Sequence, residues 1–219
     1  ALVPPGTYDV YVDPRGVTGE CTPPPQLFRE IHVGASEVGI TLTLNTPEQL
    51  DVVVRWPHPE PLLDGWTLDV IDGDTGRLLS TQGVLGEPVA ADEGFDYRVH
   101  LAYVPVQPTG GKAELVRLSP PEGVTAPHVI VDRSVVELFE HGVGIIDQFQ
   151  SLPAPVQVMG QVSAENSTTV VRATVSLAAT ELRAISPGTI AAFERVVETD
   201  EGGQFTVDLL PGTYRVVAF

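Results

Sequence analysis

The sequence predicts an all-β protein built from tandem β-sandwich domains, and three observations carry that prediction. First, short stretches alternate apolar and polar residues with period two, as in Gly6-Thr7-Tyr8-Asp9-Val10-Tyr11-Val12, the pattern of a half-buried strand. Second, 20 prolines and 21 glycines punctuate the 219 residues, which suits short strands joined by turns. Third, no helix cap precedes a convincing 3.6-residue period anywhere in the chain.

A repeated phrase sets the domain organisation. Pro5-Gly6-Thr7-Tyr8 returns as Pro211-Gly212-Thr213-Tyr214, and both copies run on into small apolar residues. Phrases shared over this distance indicate two copies of one module. Residues 1–45 hold strands at 6–12, 27–33 and 39–44. Three strands are too few to close a sandwich, so they are expected to be the tail of an upstream module and the chain a fragment of something longer. Asn45-Thr46-Pro47-Glu48 marks a boundary. Residues 46–155 then present strands at 50–56, 66–72, 76–82, 95–104, 113–118, 128–132 and 134–140, the density of an Ig-like or fibronectin-III-like sandwich. The proline-spaced stretch 151–156 marks a second boundary. Residues 156–219 follow with strands at 156–164, 168–179, 189–200, 203–210 and 212–219. The stretch 191–197 could form a helical turn, but its β-branched flanks favour a strand.

Charge narrows the partners. The net charge of −17 is distributed as −3 over residues 1–45, −11 over 46–155 and −3 over 156–219. Binding to nucleic acid or an anionic membrane surface needs clustered Lys/Arg, and the chain offers 12 such residues, Lys112 the single lysine among them. Cys21 is the only cysteine, so no disulfide forms within the chain. Glu20 before it rules out a lipobox, leaving a buried thiol or a bond outside the chain. No run of 18 apolar residues occurs, and the opening residues are expected to form a strand rather than a signal peptide.

Motifs for chemistry are sparse. His32, His58, His100, His128 and His141 show no metal-ligand spacing. Gly-Ala-Ser-Glu-Val-Gly at 34–39 is one residue too long for a nucleophile elbow, and the stretch around Lys112 lacks the rest of a phosphate loop. Asp72 and Asp74 are spaced like calcium-loop oxygens, although an Asp-Gly hairpin turn accounts for them more simply. Trp56 and Trp66 flank the loop 57–65; exposed, they would form a platform for a sugar ring, and buried, they would anchor a core. Asn166-Ser167-Thr168 matches a glycosylation sequon, although a polar turn accounts for it more simply. No catalytic residue and no cofactor is expected.

The C-terminal order of Thr199-Asp200, Gly203, Phe205 and Leu210-Pro211-Gly212-Thr213-Tyr214 resembles the carboxypeptidase regulatory-like module, a transthyretin-like β-sandwich, over residues 156–219. The N-terminal twelve residues resemble the end of the same module. In this register Phe205, Val207 and Leu209 point inward, and Tyr214 and Val216 re-enter the core. The resemblance implies accessory or tandem modules of extracellular, cell-surface or lipoprotein chains, with neighbouring domains of the same protein, or surface protein or glycan, as partners. No zinc motif of the carboxypeptidase catalytic domain accompanies it. Two functions follow as expectations: a non-catalytic spacer or adhesion region of a bacterial envelope protein, or a carbohydrate-binding accessory region of a secreted hydrolase.

Overall fold

The structure is a computed structural model and describes residues 3–14, 23–35, 39–60, 62–106, 114–139, 143–147, 154–163, 172–182 and 189–219. The chain is all-β. Its strands are β1 (Gly6–Val12), β2 (Gln26–Val33), β3 (Glu48–Trp56), β4 (Thr67–Asp72), β5 (Gly83–Val84), β6 (Val89–Ala91), β7 (Gly94–Tyr103), β8 (Glu114–Ser119) and β9 (His128–Ser134). A helical turn, α1 (Val135–Leu138), precedes β10 (Gly144–Ile146), β11 (Val156–Gln161), β12 (Thr174–Leu182), β13 (Thr189–Ala192), β14 (Glu194–Glu198), β15 (Gln204–Leu209) and β16 (Gly212–Ala218).

In the middle region two sheets share one core. The first runs β10-β3-β7-β6 and the second β13-β9-β8-β4-β5. Period-two alternation turns Val52, Val54, Tyr97, Val99 and Leu101 of the first toward Leu68, Val70, Val116, Leu118, Val129 and Val131 of the second. The antiparallel β3–β7 pair is held tightly at Gly94, whose φ is +102° and where a Cβ would lie 2.0 Å from the Trp56 carbonyl oxygen. Only glycine fits there.

Residues 76–82, expected as a strand, cross between the sheets instead. Leu78 makes a single bridge to Ile71 and Ser80 a single bridge to Tyr103, so no ladder extends along either. The expected strand at 134–140 is likewise replaced, by α1. Ser134 caps it by accepting from the Glu137 N–H, and the Glu137 carboxylate accepts from the Ser134 N–H in return. That Ser-x-x-Glu capping box was present in the sequence. Strand β10, which was not anticipated, pairs parallel to β3 across a large separation in sequence.

Strands β1 and β2 pair antiparallel as a separate two-stranded sheet. Leu27 joins the middle core, Tyr11 packs against it, and the Tyr11 hydroxyl donates to the Leu78 carbonyl at 2.9 Å. The expected strand at 39–44 does not form: Ile40 and Leu44 are exposed and pair with no strand.

The C-terminal region has its own, smaller core of Val175, Leu177, Phe193, Leu209 and Leu210. It lies between the sheet β14-β12-β16 and the pair β11-β15. Phe205, Val207 and Tyr214 pack against this core half-buried, in the assigned register. Across from Phe205 stands Gly160, where a Cβ would lie 2.3 Å from the ring, so the ring occupies the space a side chain would take. Val216 departs from expectation: it shares a face with buried Leu177 yet is 56% exposed among the described residues. The stretch 189–200 divides at Phe193. Its second half, β14, pairs with β12, whereas its first half, β13, joins β9 in the middle region's sheet.

Candidate functional site

Both tryptophans lie in the middle core, each 1% exposed. The Trp56 Nε1–H donates to the Glu60 carbonyl at 2.8 Å, and the His58 ring lies against the indole with centroids 4.6 Å apart. The expectation of a sugar platform at Trp56 and Trp66 is therefore corrected. Each indole removes a large apolar surface from water, and neither presents a face on which a pyranose could stack.

Asp72 and Asp74 do come together, but around a cation supplied by the protein. The Asp72 carboxylate is fully buried. Its Oδ1 accepts from Arg29 Nη2 of β2, while Oδ2 accepts from the Thr75 N–H at 3.0 Å and the Thr75 hydroxyl at 2.6 Å. Arg29 Nη1 reaches Asp74 Oδ2 at 3.4 Å. A guanidinium thus stands where a calcium ion would have to bind, and the Thr75 contacts make the local turn expected of an Asx motif. Among the described residues no group of three or more His, Cys, Asp or Glu is placed to hold a metal.

Beside this pair lies Glu114, which sequence reasoning missed. Its Oε2 accepts from the Tyr103 hydroxyl and its Oε1 from the Val106 N–H at 2.5 Å. Burial pushes its pKa above the ordinary 4.5; the Val106 N–H and Arg29 oppose the rise, and Asp72 and Glu48 add to it. Arg29, Asp72 and Glu114 therefore form a charged plug where β2 meets the middle region. Its chemistry is that of a structural clasp, with every oxygen named here committed to a donor.

A second polar cluster sits on the face of the β4–β8–β9 sheet away from the core. Arg117 grips Asp69 through both oxygens, at 3.0 and 2.8 Å, and His128 Nδ1 lies 2.9 Å from the Ser119 Oγ. Ser119 is 7% exposed. Partial withdrawal from water, with Arg117 and then Arg195 nearby, pushes the His128 pKa below 6.5, against a smaller upward pull from Asp69. The hydroxyl–imidazole contact is that of a nucleophile and base, but the nearby Asp69 is held by Arg117 rather than orienting the imidazole. Cross-strand register brings these residues together, and no spacing in the sequence announces it. The remaining described histidines stay apart: His32 is exposed, and His100 pairs with Asp51 across β3 and β7 at 2.5 Å. His141, Cys21, Ser36, Lys112 and Asn166 lie outside the described residues.

The repeated phrase becomes a repeated structure. β1 and β16 each span seven residues starting at the phrase's glycine. The Tyr8 hydroxyl donates to the Pro4 carbonyl at 2.6 Å, and the Tyr214 hydroxyl donates to the Leu210 carbonyl at 2.7 Å. Both bonds reach back four residues over the Pro-Gly turn and fix where the strand begins. Compared with family models, curated proteins and solved structures, the chain finds no match. No helix is long and apolar enough to cross a membrane among the described residues.

Proposed function

We propose that this chain is a non-catalytic structural or interaction region of a secreted or cell-envelope bacterial protein, organised as tandem β-sandwich spacers or adhesion modules. Residues 156–219 form a carboxypeptidase regulatory-like, transthyretin-like sandwich, residues 46–155 an Ig-like one, and residues 1–45 the closing strands of a further copy. The observation that carries the reading is the paired tyrosine bond, Tyr8 to Pro4 and Tyr214 to Leu210, which supports two copies of one module within the chain. The clasp at Arg29 and Asp72 supports it further, since these charges are spent on joining segments rather than exposed to a substrate.

The test is turnover. Purified protein incubated with a panel of ester, peptide and glycoside substrates is expected to hydrolyse none of them. Turnover abolished by Ser119→Ala or His128→Ala would overturn the reading.

A further inference from the structure

The C-terminal region is tied to the middle one along a seam with a histidine in it. β13 pairs with β9 so that Ala192 lies across from His128. The next residue, Phe193, enters the C-terminal core, and Arg195 then reaches back to the middle region. Its Nη2 donates to the Val124 carbonyl and to the Thr125 hydroxyl, each at 3.2 Å, and its guanidinium lies 5.1 Å from the centre of the Phe193 ring. Among the described residues, the charged groups facing His128 are Arg117 on β8, Asp69 on β4 and Arg195 on β14. Arg117 already holds both oxygens of Asp69, and Arg195 spends its named bonds on neutral oxygens. A proton on His128 therefore sets a third cation beside two others, against a single carboxylate. The Ser119 bond does not decide the balance, because its hydroxyl donates to a neutral imidazole and, turned about, accepts from a charged one. Burial first, then Arg117, hold the His128 pKa below 6.5; Asp69 pulls it up and Arg195 pushes it down again.

We propose that this seam is an acid-released joint: protonation of His128 frees β13 and Arg195 from the middle region, and the C-terminal region parts from it with its own core intact. The sign follows from linkage. Once the seam opens, the imidazole returns toward its ordinary value near 6.5, so the open form binds the proton more tightly. The joint is therefore closed above about 6.5 and loosens as pH falls through the lower closed-state value, by up to about tenfold per pH unit for one proton. The coupling is reciprocal: whatever opens the joint raises the affinity of His128 for its proton. The inference goes beyond the spacer reading and stands on contacts that hold whether or not the chain is a spacer. Lack of acid opening would overturn the joint alone, whereas catalytic turnover would overturn the spacer reading and leave the joint in place.

Region-resolved hydrogen exchange on the full chain, at about pH 7.5 and about pH 5.5 with rates corrected for their intrinsic pH dependence, tests this. Protection of residues 128–131 and 189–192 is expected to fall at least about threefold in acid, while β3, β7 and β12 keep theirs. His128→Gln keeps a hydrogen-bonding partner for Ser119 but takes no proton in this range, and should abolish the acid loss. Arg195→Gln removes one of the facing cations and should move the His128 pKa, read by NMR titration, up toward 6.5. The titration of the wild type needs no variant, so a substitution that fails to fold does not shield the proposal. A wild-type His128 pKa at or above 6.5, an acid loss spread evenly over both regions, or an acid loss that persists in His128→Gln would each overturn it.

Discussion

The middle and C-terminal regions are made of the same strand pattern yet bury it to different depths. In the middle region two sheets close over Trp56, Trp66, Tyr97, Leu68 and Leu118, all at 1% exposure or less. In the C-terminal region the core cluster holds five buried residues among those described, while Val156, Val158 and Val216, on the same faces as the core, stay between 36% and 56% exposed. Alternation decides which face of a strand is apolar. Whether that face is covered depends on what packs beside and over the strand, and among the described residues β11 and β16 each have one strand neighbour. A region with an incomplete cover holds less of its apolar surface out of water, so the C-terminal region is expected to open locally before the middle region unfolds.

The largest expected effect breaks the comparison on its stronger side. Trp56→Ala should cost about 3–5 kcal/mol and melt the middle region, since it leaves a large cavity and frees the Glu60 carbonyl. Leu177→Ala should instead release the C-terminal amides alone, at about 2–5 kcal/mol. Hydrogen exchange resolved by region separates the two, and equal loss of protection in both regions after Leu177→Ala would show that they unfold as one.

Arg29→Ala tests how firmly β1–β2 is joined to the middle region. The change strands the buried Asp72 carboxylate without its cation, an effect of about 3–5 kcal/mol read by chemical denaturation. Converting Asp72 to Asn in the same chain should restore much of it.

Tyr214→Phe is smaller, about 1 kcal/mol, because one hydroxyl-to-carbonyl bond is lost while the ring stays packed. Tyr8→Phe should cost less, its bond being exposed to water.

The smallest effect is a slope. Glu114 holds its proton more tightly folded than unfolded, so the stability it adds is present below its unfolded pKa near 4.5 and lost as pH rises through the higher folded value. His128, shifted the other way, adds stability above about 6.5 that is lost as pH falls through its lower folded value. Glu114→Gln should flatten the decline in melting temperature above pH 4.5 relative to wild type and leave the His128 limb in place. An unchanged slope would show that the carboxyl is not the group responsible.

The parts of the fold that were legible in the sequence rest on local signals. Strands such as β3, β4, β7 and β15 alternate cleanly between turn residues, and their predicted ranges agree with the structure within two residues. What was illegible depends on distant partners. The stretch 76–82 alternates as a strand but is divided between two sheets, and 39–44 alternates with no strand beside it. The helical turn at Val135–Leu138 was hidden by its β-branched residues, despite a capping box in plain view. At the candidate sites the residue types were visible and their surroundings were not. Nothing local says that Arg29, forty-three residues before Asp72, occupies the place of a cation, or that both tryptophans face inward.

Strand β13 has an evolutionary consequence. It is drawn from the C-terminal segment, yet it completes the sheet of the middle region by pairing with β9. Recombination that cut the gene between these segments would strip an outer strand from one product and hand an unmatched one to the other. The two regions are thus bound to be inherited together, and a shuffled copy of either would have to bring this strand, or evolve a substitute, before it could fold beside a new neighbour.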